Sequence, residues 1–515
     1  MAIKLNKVLI SDPVDEAAVE ILRARNLQVD LRTGLPKDQL LAIIPEYDAL
    51  IVRSGTQVTA DVIQAAKNLK LIGRAGVGVD NIDLPAATKA GIIVINAPGG
   101  NTISAVELTC TMLLASSRYV AQACSSLKNG VWDRKSFTGN ELKGKTLAII
   151  GLGRIGREVA IRMQSFEMRT IGFDPIIPAE VTAQFGVQSL SLEEIWPQAD
   201  YITVHTPLIP QTKDLINATT LAKCKKGVRI INVARGGIIN EDDLLAALQS
   251  GHVAGAGLDV FLEEPPKNTP LVQHPKVVCT PHLGASTKEA QNNVAKEIAL
   301  QFLDILDSKA VPGVVNAPLL SEMLKHENLI WTRLGTDLGK LAAAGSPTLQ
   351  SLKVTVTGKL ATAAVKLIKE SVLVGALTAL GGASVNVVSA AGIAESRGIA
   401  SSYEVAPAAG PCCHHSTVTV ETDKGGRYTA IAQGRRAYLT TVNGDTFEPA
   451  VVLDHTLTLL QTSASLAEVL AANGGDVVLA ATRSKTNAQL YAIHSTGKLV
   501  GGTANASAVT SVQFN

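Results

Sequence analysis

Residues 146–174 read TLAIIGLGRIGREVAIRMQSFEMRTIGFD, and their pattern predicts the architecture around them. An apolar run ends in the glycine-rich turn GLGRIG at 151–156, and a helical pattern then leads to a second apolar run that ends in Asp174. Strand, glycine turn, helix and strand in this order are the context in which G-x-G-x-x-G binds a dinucleotide. The segment therefore predicts a Rossmann-type parallel-sheet domain.

Each glycine of the turn has its own physical role. Gly151 permits the tight turn after the strand, Gly153 lets the backbone approach a pyrophosphate, and Gly156 lets the helix pack closely on the strand. The helix that begins there points unpaired N–H groups and its positive dipole end at the phosphates. Asp174 is placed to accept hydrogen bonds from the adenosine ribose, which favours NAD because its carboxylate would repel the extra phosphate of NADP.

Length and composition narrow the class of protein. The chain has 515 residues, too many for one hydrophobic core, and about three or four domains are expected. With 47 basic and 45 acidic residues it is nearly neutral, so its net charge gives no reason to expect binding to nucleic acid or to an anionic membrane surface. Six scattered cysteines, no secretory apolar segment and no membrane-length apolar run predict a soluble cytoplasmic enzyme.

Short apolar runs alternate with amphipathic stretches on both sides of the glycine turn, which is typical of α/β domains with parallel sheets. Before it, the expected strands are 8–10, 49–52, 71–72 and 92–95, and the expected helices are 16–25, 37–44 and 61–67. After it, the expected strands are 201–204, 228–233, 254–258 and 277–279, and the expected helices are 219–223 and 241–249.

Other segments have a different character. Residues 102–128 are mostly apolar and predict one long buried helix, 287–307 predicts another helix, and 311–317 a linker. Residues 318–515 are rich in Ala, Gly, Thr and Val, and we expect a regulatory or oligomerising region there. Its predicted strands are 353–356, 417–421 and 477–481, with a turn at 442–445.

Ligands of open α/β sheets bind beyond the carboxyl ends of the strands, and three candidates follow such ends: Arg235, Glu264 and His282. Histidine suits the proton transfer that accompanies hydride removal from a C–OH carbon. Glu264 would orient the ring and favour its imidazolium form. Arg235 would bind a substrate carboxylate and polarise the neighbouring carbonyl. Each of these three residues, taken alone, also fits a purely structural role.

The run Cys412-Cys413-His414-His415 suggests a metal site only superficially. Zinc ligands are usually spaced by two or more residues so that they converge, and four adjacent residues do not converge readily. We expect a loop there and no metal.

The segments GLGRIG, NVARGGIINEDDLLAAL, GAGLDVFLEEPP and TPHLGASTKEAQ closely resemble those of the D-isomer-specific 2-hydroxyacid dehydrogenases, over about residues 5 to 317. Further segments, RAGVGVDNID and NAPGGNTISAVELT, are most similar to those of the long, animal-type members. The resemblance implies hydride transfer between NAD and a small phosphorylated 2-hydroxy acid, with Arg235, Glu264 and His282 as the catalytic set.

The resemblance also implies four domains and a catalytic cleft between the first two. They are a discontinuous substrate domain (1–98 and 286–317), an NAD-binding domain (99–285), an intermediate domain (318–450) and a small regulatory-like domain (451–515). The last of these resembles the family only loosely. Implied cofactor contacts, besides the three glycines of the turn, are Arg154, Ile155, Asp174, Thr206, Pro207, Val233, Ala234, Asp259 and Gly284, with Asp259 facing the nicotinamide carboxamide.

A phosphorylated hydroxy acid is a small, multiply charged anion, and its site needs several cations. Arg53 and Arg74 follow strands of the first domain, and Arg134 lies in the loop after the long helix, where it would serve a neighbouring subunit. Asn101 and the backbone at Gly76 and Val77 complete the expected pocket. Val77 and Val233 stand where vertebrate members commonly have threonine and cysteine.

Two alternatives stay open at the level of sequence. One is a glyoxylate or hydroxypyruvate reductase of the same family. The other is a dinucleotide-sensing scaffold, similar to the transcriptional corepressors that share this fold. The long apolar segment and the extra domains predict a homo-oligomer, either a dimer or a tetramer.

Overall fold

The structure is a computed structural model that describes residues 4–381, 385–407, 416–453, 456–462, 477–483, 489–495 and 506–514. The chain forms two compact units, one of residues Met1–Asn96 with Ile298–Asn515 and one of residues Ala97–Glu297. The division into four domains stays a prediction.

The first unit begins with a parallel sheet. Its strands are β1 (Lys7–Ile10), β2 (Gln28–Leu31), β3 (Ala49–Val52), β4 (Leu71–Arg74) and β5 (Ile93–Asn96), in the order β2-β1-β3-β4-β5. The helices between them are α1 (Glu16–Arg23), α2 (Lys37–Ile43), α3 (Ala60–Ala65) and α4 (Leu84–Ala90). All four residues of β3 are buried, as expected for a strand inside a parallel sheet. The order is that of flavodoxin-like folds.

The second unit begins with two helices, α5 (Thr102–Arg118) and α6 (Val120–Lys128). The prediction of one buried helix over 102–128 is therefore wrong. Tyr119, between them, has a left-handed backbone with φ 53° that ends the first helix. α5 has buried residues on its inner face, whereas α6, with the sequence VAQACSSLK, has none.

A parallel sheet forms the rest of the second unit. Its strands are β6 (Thr146–Ile150), β7 (Arg169–Phe173), β8 (Gln188–Ser189), β9 (Tyr201–Val204), β10 (Val228–Asn232), β11 (Val253–Leu258) and β12 (Val277–Cys279). Their order is β12-β11-β10-β9-β6-β7-β8. The order reverses between β6 and β9, which is the switch point where Rossmann folds bind dinucleotides.

Helices connect these strands. They are α7 (Arg154–Gln164), α8 (Ala179–Ala183), α9 (Leu192–Ile195), α10 (Ala218–Lys223), α11 (Glu241–Gln249) and α12 (Thr269–Val272), and α13 (Lys288–Leu306) follows β12. Two apolar clusters, one including Trp196 and one including Met163, form the core of this unit.

The C-terminal part of the first unit combines helices and mixed sheets. The helices are α14 (Leu320–Leu324), α15 (Leu329–Gly345), α16 (Lys359–Ala363), α17 (Val365–Ala379) and α18 (Ala390–Ser396). α15 and α17 pack closely because a Cβ at Gly339 would collide with Val372 O and one at Gly375 with Thr336 O.

Two sheets belong to this part. One contains β13 (Ser351–Thr357), β14 (Ala400–Val405), β15 (Thr417–Thr422), β16 (Arg427–Gln433), β17 (Arg436–Val442) and β18 (Asp445–Val452), and the other β19 (Thr456–Thr462), β20 (Val477–Arg483), β21 (Gln489–Ser495) and β22 (Ala506–Gln513). The three predicted strands are confirmed as parts of β13, β15 and β20. The predicted turn is confirmed between β17 and β18, where Asn443 and Gly444 have positive φ.

The predicted fold class, two doubly wound parallel-sheet regions followed by a mixed α+β region, is confirmed. Within the described ranges, no helix is both long and apolar enough to cross a bilayer, and no group of three or more His, Cys, Asp or Glu side chains is arranged to hold a metal ion. The expected loop at Cys412-Cys413-His414-His415 lies outside the described residues.

Candidate active site

The glycine-rich turn after β6 has the geometry that the sequence predicts. Gly151 has φ 94°, and a Cβ there would lie 2.5 Å from His205 O. A Cβ at Gly156 would collide with Gly151 O, so only glycine lets the helix approach the strand. At Gly153 no atom of the described residues, its two chain neighbours apart, lies within 4 Å of the position of a Cβ. Open space over this residue fits the close approach of a pyrophosphate.

Helix α7 begins beside this open space, with Arg154 and Ile155 in its first turn. Its N-cap residue is Gly153, which has no side chain to cap the helix. The first N–H groups of a helix have no intrahelical partner, so the uncapped terminus fits an anionic ligand.

Asp174 follows β7 and lies next to the turn. Its Oδ2 accepts a hydrogen bond from Leu152 N (2.9 Å), and its Oδ1 accepts from Ile176 N (2.9 Å) and Ile177 N (3.1 Å). These three bonds fix the carboxylate. Since a carboxylate offers about four acceptor positions, about one is left for a ribose hydroxyl.

The segment after β9 supplies a further polar group. Thr206 has a buried Oγ1 with no hydrogen-bond partner among the described residues, which fits a contact to a bound molecule. The neighbouring His205 lies 3.0 Å, through Nε2, from Thr203 Oγ1. Burial lowers the pKa of His205 to about 3, so this imidazole stays neutral near neutral pH. Pro207 O accepts a hydrogen bond from Thr212 Oγ1 (2.6 Å).

Glu264 and His282, predicted from separate strand ends, lie together in the structure. Their atoms Oε2 and Nδ1 are 2.7 Å apart, and the side chains remain 39% and 48% exposed. Glu264 Oε1 also accepts a hydrogen bond from Phe261 N (3.2 Å), which anchors the carboxylate to the loop after β11. When Nδ1–H donates to Glu264, the Nε2 lone pair of the neutral ring is left to accept a proton.

Asp259 follows β11 and is fully buried. Its Oδ1 accepts hydrogen bonds from Thr280 Oγ1 (2.5 Å) and Leu283 N (2.7 Å), and its Oδ2 accepts from Gly284 N (2.8 Å). The Asp259 carbonyl accepts from His282 N (2.9 Å). The carboxylate predicted to face the nicotinamide is thus bonded to the loop that carries His282.

Arg235 lies in the tight loop after β10. Asn232, the last residue of that strand, holds the loop: its Oδ1 accepts from Ala234 N (2.9 Å) and its Nδ2 donates to Arg235 O (2.8 Å). A Cβ at Gly236 would collide with Phe261 O, so this glycine lets the two loops pack together. The Arg235 Nη1 atom donates to Ala234 O (2.6 Å). Val233 is buried in the core next to this loop.

Four predicted substrate residues belong to the first compact unit: Arg53, Arg74, Gly76 and Val77. Arg53 directly follows β3, and its backbone N–H donates to Asp12 Oδ2 (2.6 Å). Asp12 also accepts from Thr56 N (3.0 Å) and Thr56 Oγ1 (2.8 Å). Asn81 Nδ2 donates to Arg53 O (2.7 Å). The loop that presents Arg53 is therefore anchored on both sides.

Arg74 is the last residue of β4 and is half-buried. A Cβ at Gly76 would collide with the Arg74 guanidinium, so glycine makes room for this cation. Val77 O accepts a hydrogen bond from Asn96 Nδ2 (2.6 Å), which fixes the backbone after the strand.

The other two predicted substrate residues lie in the second unit. Asn101 occupies the N-cap position of α5, and its buried Oδ1 has no hydrogen-bond partner among the described residues. Arg134 is exposed in the loop between α6 and β6. Asp133 Oδ1 shapes that loop by accepting from Lys135 N (3.0 Å) and Ser136 N (3.1 Å).

Sequence reasoning missed three residues that hold these loops: Asp12, Asn232 and Thr280. Each lies at or just after the end of a strand, β1, β10 and β12 respectively. Functional residues of parallel sheets lie at the carboxyl ends of the strands, and these three supporting residues lie there as well. Their signal was available in the sequence but too general to single them out.

Two of the described thiols are poor nucleophiles because they are buried. Cys110, Cys124, Cys224 and Cys279 are all free. Burial raises the pKa of the Cys110 and Cys224 thiols to about 11, so both remain protonated at neutral pH.

Two family models match the chain. Residues 110–284 match the D-isomer specific 2-hydroxyacid dehydrogenase, NAD binding domain. Residues 329–433 match the D-3-phosphoglycerate dehydrogenase intervening domain.

Individual relatives agree with these matches. The chain is 50% identical over 462 residues to D-3-phosphoglycerate dehydrogenase of Homo sapiens, covering 88% of this chain and 86% of the relative. It is 43% identical over 395 residues to the enzyme of that name from Archaeoglobus fulgidus, covering 76% and 75%. Among solved structures, D-lactate dehydrogenase from Aquifex aeolicus in complex with NAD and lactic acid is similar, with a TM-score of 0.53, 26% identity and coverage of 59% of this chain and 96% of that one.

Proposed function

The chain belongs to the D-3-phosphoglycerate dehydrogenase family of D-isomer-specific 2-hydroxyacid dehydrogenases, and on that premise we propose that it oxidises D-3-phosphoglycerate with NAD. The product is 3-phosphohydroxypyruvate, and the reaction opens L-serine synthesis. The observation that carries the proposal is the contact of 2.7 Å between Glu264 Oε2 and His282 Nδ1 in the unit that also contains the NAD-binding turn.

His282 is the proposed base. Oxidation of a secondary alcohol removes a proton from the hydroxyl and a hydride from the carbon. The Nε2 atom of His282 accepts the hydroxyl proton, because Nδ1 is engaged by Glu264. Glu264 holds the ring in this orientation and stabilises the imidazolium that forms. Bound NAD supplies the hydride acceptor.

NAD, the cofactor of this family, fits the residues around the glycine turn. The uncapped end of α7 and the space over Gly153 suit its pyrophosphate. We propose that Asp174 accepts a ribose hydroxyl and disfavours NADP. The remaining proposed contacts are Arg154, Ile155, Thr206, Pro207, Val233, Ala234, Asp259 and Gly284.

Arginines are the proposed ligands of the anionic substrate. Arg235 binds the carboxylate and polarises the carbonyl in the reverse reaction, since a guanidinium forms paired hydrogen bonds with planar oxyanions. Arg53 and Arg74 bind the other anionic groups. The need for a complete anion pocket, argued above from the sequence, assigns four more residues to substrate binding: Gly76, Val77, Asn101 and Arg134. Of these, Arg134 binds the substrate of a neighbouring subunit.

We further propose a homo-oligomer, dimer or tetramer, in the cytoplasm. Large apolar side chains are exposed along α6 and the loop after it, where a monomer would leave them in water: Val120, Leu127, Val131 and Trp132, the last 77% exposed. Exposed apolar surface of this kind favours association. Sedimentation of the purified chain tests this proposal, and a monomer at micromolar concentration would contradict it.

A substrate panel with both cofactors tests the activity. Purified protein given NAD and D-3-phosphoglycerate is expected to generate NADH absorbance, most visibly at alkaline pH with the product removed, because the oxidation releases a proton. NADP is expected to replace NAD poorly because of Asp174. Absence of this signal together with efficient reduction of glyoxylate or hydroxypyruvate would indicate a reductase of the family. Binding of NADH and of peptide ligands without turnover of any 2-hydroxy acid would indicate the scaffold.

A further inference from the structure

His282 has a backbone conformation that its own side chain does not favour. Its φ is 56°, in the left-handed region that residues with a Cβ seldom adopt. Such conformations persist only when the surrounding structure holds them, and they are common at functional sites. The position of the imidazole therefore depends on what fixes the backbone of 280–284.

Asp259 is what fixes it. Its carbonyl accepts from His282 N (2.9 Å), and its carboxylate accepts from the two backbone N–H groups that follow, Leu283 N (2.7 Å) and Gly284 N (2.8 Å). Asp259 N in turn donates to Asn232 O (2.9 Å), which connects the loop to the end of β10. One fully buried residue thus joins the sheet to the histidine and to the two residues after it.

Thr280 completes this arrangement from the other side of His282. Its Oγ1 donates to Asp259 Oδ1 (2.5 Å), the same oxygen that accepts from Leu283 N. A hydrogen bond to an ionised carboxylate is stronger than a neutral one and more specific in direction. The hydroxyl therefore sets the rotation of the carboxylate, and the carboxylate sets the loop.

We propose that Thr280, acting through Asp259, is a positioning residue for His282 in the dehydrogenase reaction. Its hydroxyl locks the Asp259 carboxylate so that the left-handed turn at His282 aims the imidazole at the substrate hydroxyl. The proposal rests on the proposed function for the identity of the base. It assigns a role to a side chain that is in neither the catalytic set nor the cofactor set.

Thr280→Val is the test, because valine has nearly the shape of threonine but no hydroxyl, and Thr280→Ser is its matched control. The full-length valine variant is expected to lose about tenfold or more in kcat, since small misplacements of a catalytic group have large effects. Its KM for D-3-phosphoglycerate should stay within about twofold. Thr280→Ser is expected to keep most of the wild-type kcat.

Hydrogen–deuterium exchange of the peptide that contains Leu283 and Gly284 gives a readout independent of turnover. Exchange should be slow in the wild type and in Thr280→Ser. It should be faster in Thr280→Val, because the amides of Leu283 and Gly284 then lose a fixed hydrogen-bond acceptor. Equal exchange in wild type and Thr280→Val overturns the proposal, whatever the substrate. An unchanged kcat despite faster exchange overturns it as well, as does a serine variant as impaired as the valine one.

Failure of the proposed function is separate from these outcomes. If the wild type does not oxidise D-3-phosphoglycerate but reduces another 2-oxo acid, the assigned substrate is wrong. The kcat of Thr280→Val relative to the wild type is then measured on that other acid. A tenfold or larger loss supports the role of Thr280, and an unchanged kcat contradicts it.

Discussion

Two loops, one in each compact unit, are held by the same local device but present different chemistry. In the first unit Asp12, 5% exposed, accepts from Arg53 N, Thr56 N and Thr56 Oγ1. In the second, Asp259, 0% exposed, accepts from Leu283 N, Gly284 N and Thr280 Oγ1. Each buried aspartate thus takes two backbone N–H groups and one threonine hydroxyl. One loop carries a cation and the other a base.

The difference lies in what each loop carries. A guanidinium that binds an anionic group does so in the ground state and in the transition state alike, so its loss raises KM. A base that accepts a proton acts as the bond breaks, so its loss lowers kcat. The same scaffold at two strand ends therefore predicts opposite kinetic signatures, and the variants below are chosen to separate them.

His282→Ala is expected to have the largest effect. Removal of a general base typically costs about 10²- to 10⁴-fold in rate, so kcat should fall by that order while NADH affinity, measured by fluorescence titration, stays near the wild-type value. Glu264→Gln is the control: it keeps a hydrogen-bond acceptor next to Nδ1 and should retain more kcat than the alanine variant. A large loss of NADH affinity in His282→Ala would contradict the assigned role.

Arg74→Ala is expected to raise KM for the substrate and not to lower kcat. Loss of a charge-assisted hydrogen bond costs about 1.5 to 3 kcal/mol, which corresponds to about a 10- to 150-fold rise in KM for D-3-phosphoglycerate. KM for NAD should change little. Arg74→Lys keeps the charge without the paired hydrogen-bond geometry, so its KM for D-3-phosphoglycerate should lie between those of the wild type and Arg74→Ala. An equal rise in KM for NAD and for the substrate would show that Arg74 does not bind the anion selectively.

Asp12→Asn is expected to have the smallest effect, since it loosens the Arg53 loop and leaves the guanidinium in place. Weakening one bond of this network costs about 1 kcal/mol, or about a fivefold rise in substrate KM, with kcat retained. Steady-state kinetics with varied D-3-phosphoglycerate measure it. A fall in kcat without a change in KM would contradict the assignment of the Arg53 loop to substrate binding.

The sequence predicts the fold well where one local pattern settles the structure. The glycine turn, the apolar strands around it and the candidate residues at their carboxyl ends are all in place, and Glu264 and His282 meet because their strands are neighbours in a parallel sheet. The short strands β2 and β8 were not predicted, since both lie at sheet edges and have mixed polarity. The roles assigned to these residues stay predictions.

Other features depend on contacts that a local pattern does not contain. The break at Tyr119 requires a left-handed residue within an otherwise helical stretch. The bonds from Asp12 to the Arg53 loop, and from Asp259 to the His282 loop, join residues far apart in sequence. The sequence places each aspartate at a strand end, but not the donors that surround it.

The most direct measurement compares Asp12→Asn and Thr280→Val in parallel, with full steady-state kinetics for D-3-phosphoglycerate and NAD. We expect a crossed pattern: Asp12→Asn raises KM for D-3-phosphoglycerate and keeps kcat, whereas Thr280→Val lowers kcat and keeps KM for D-3-phosphoglycerate. If both variants change the same parameter, the two loops do not divide substrate binding from proton transfer, and the account is contradicted.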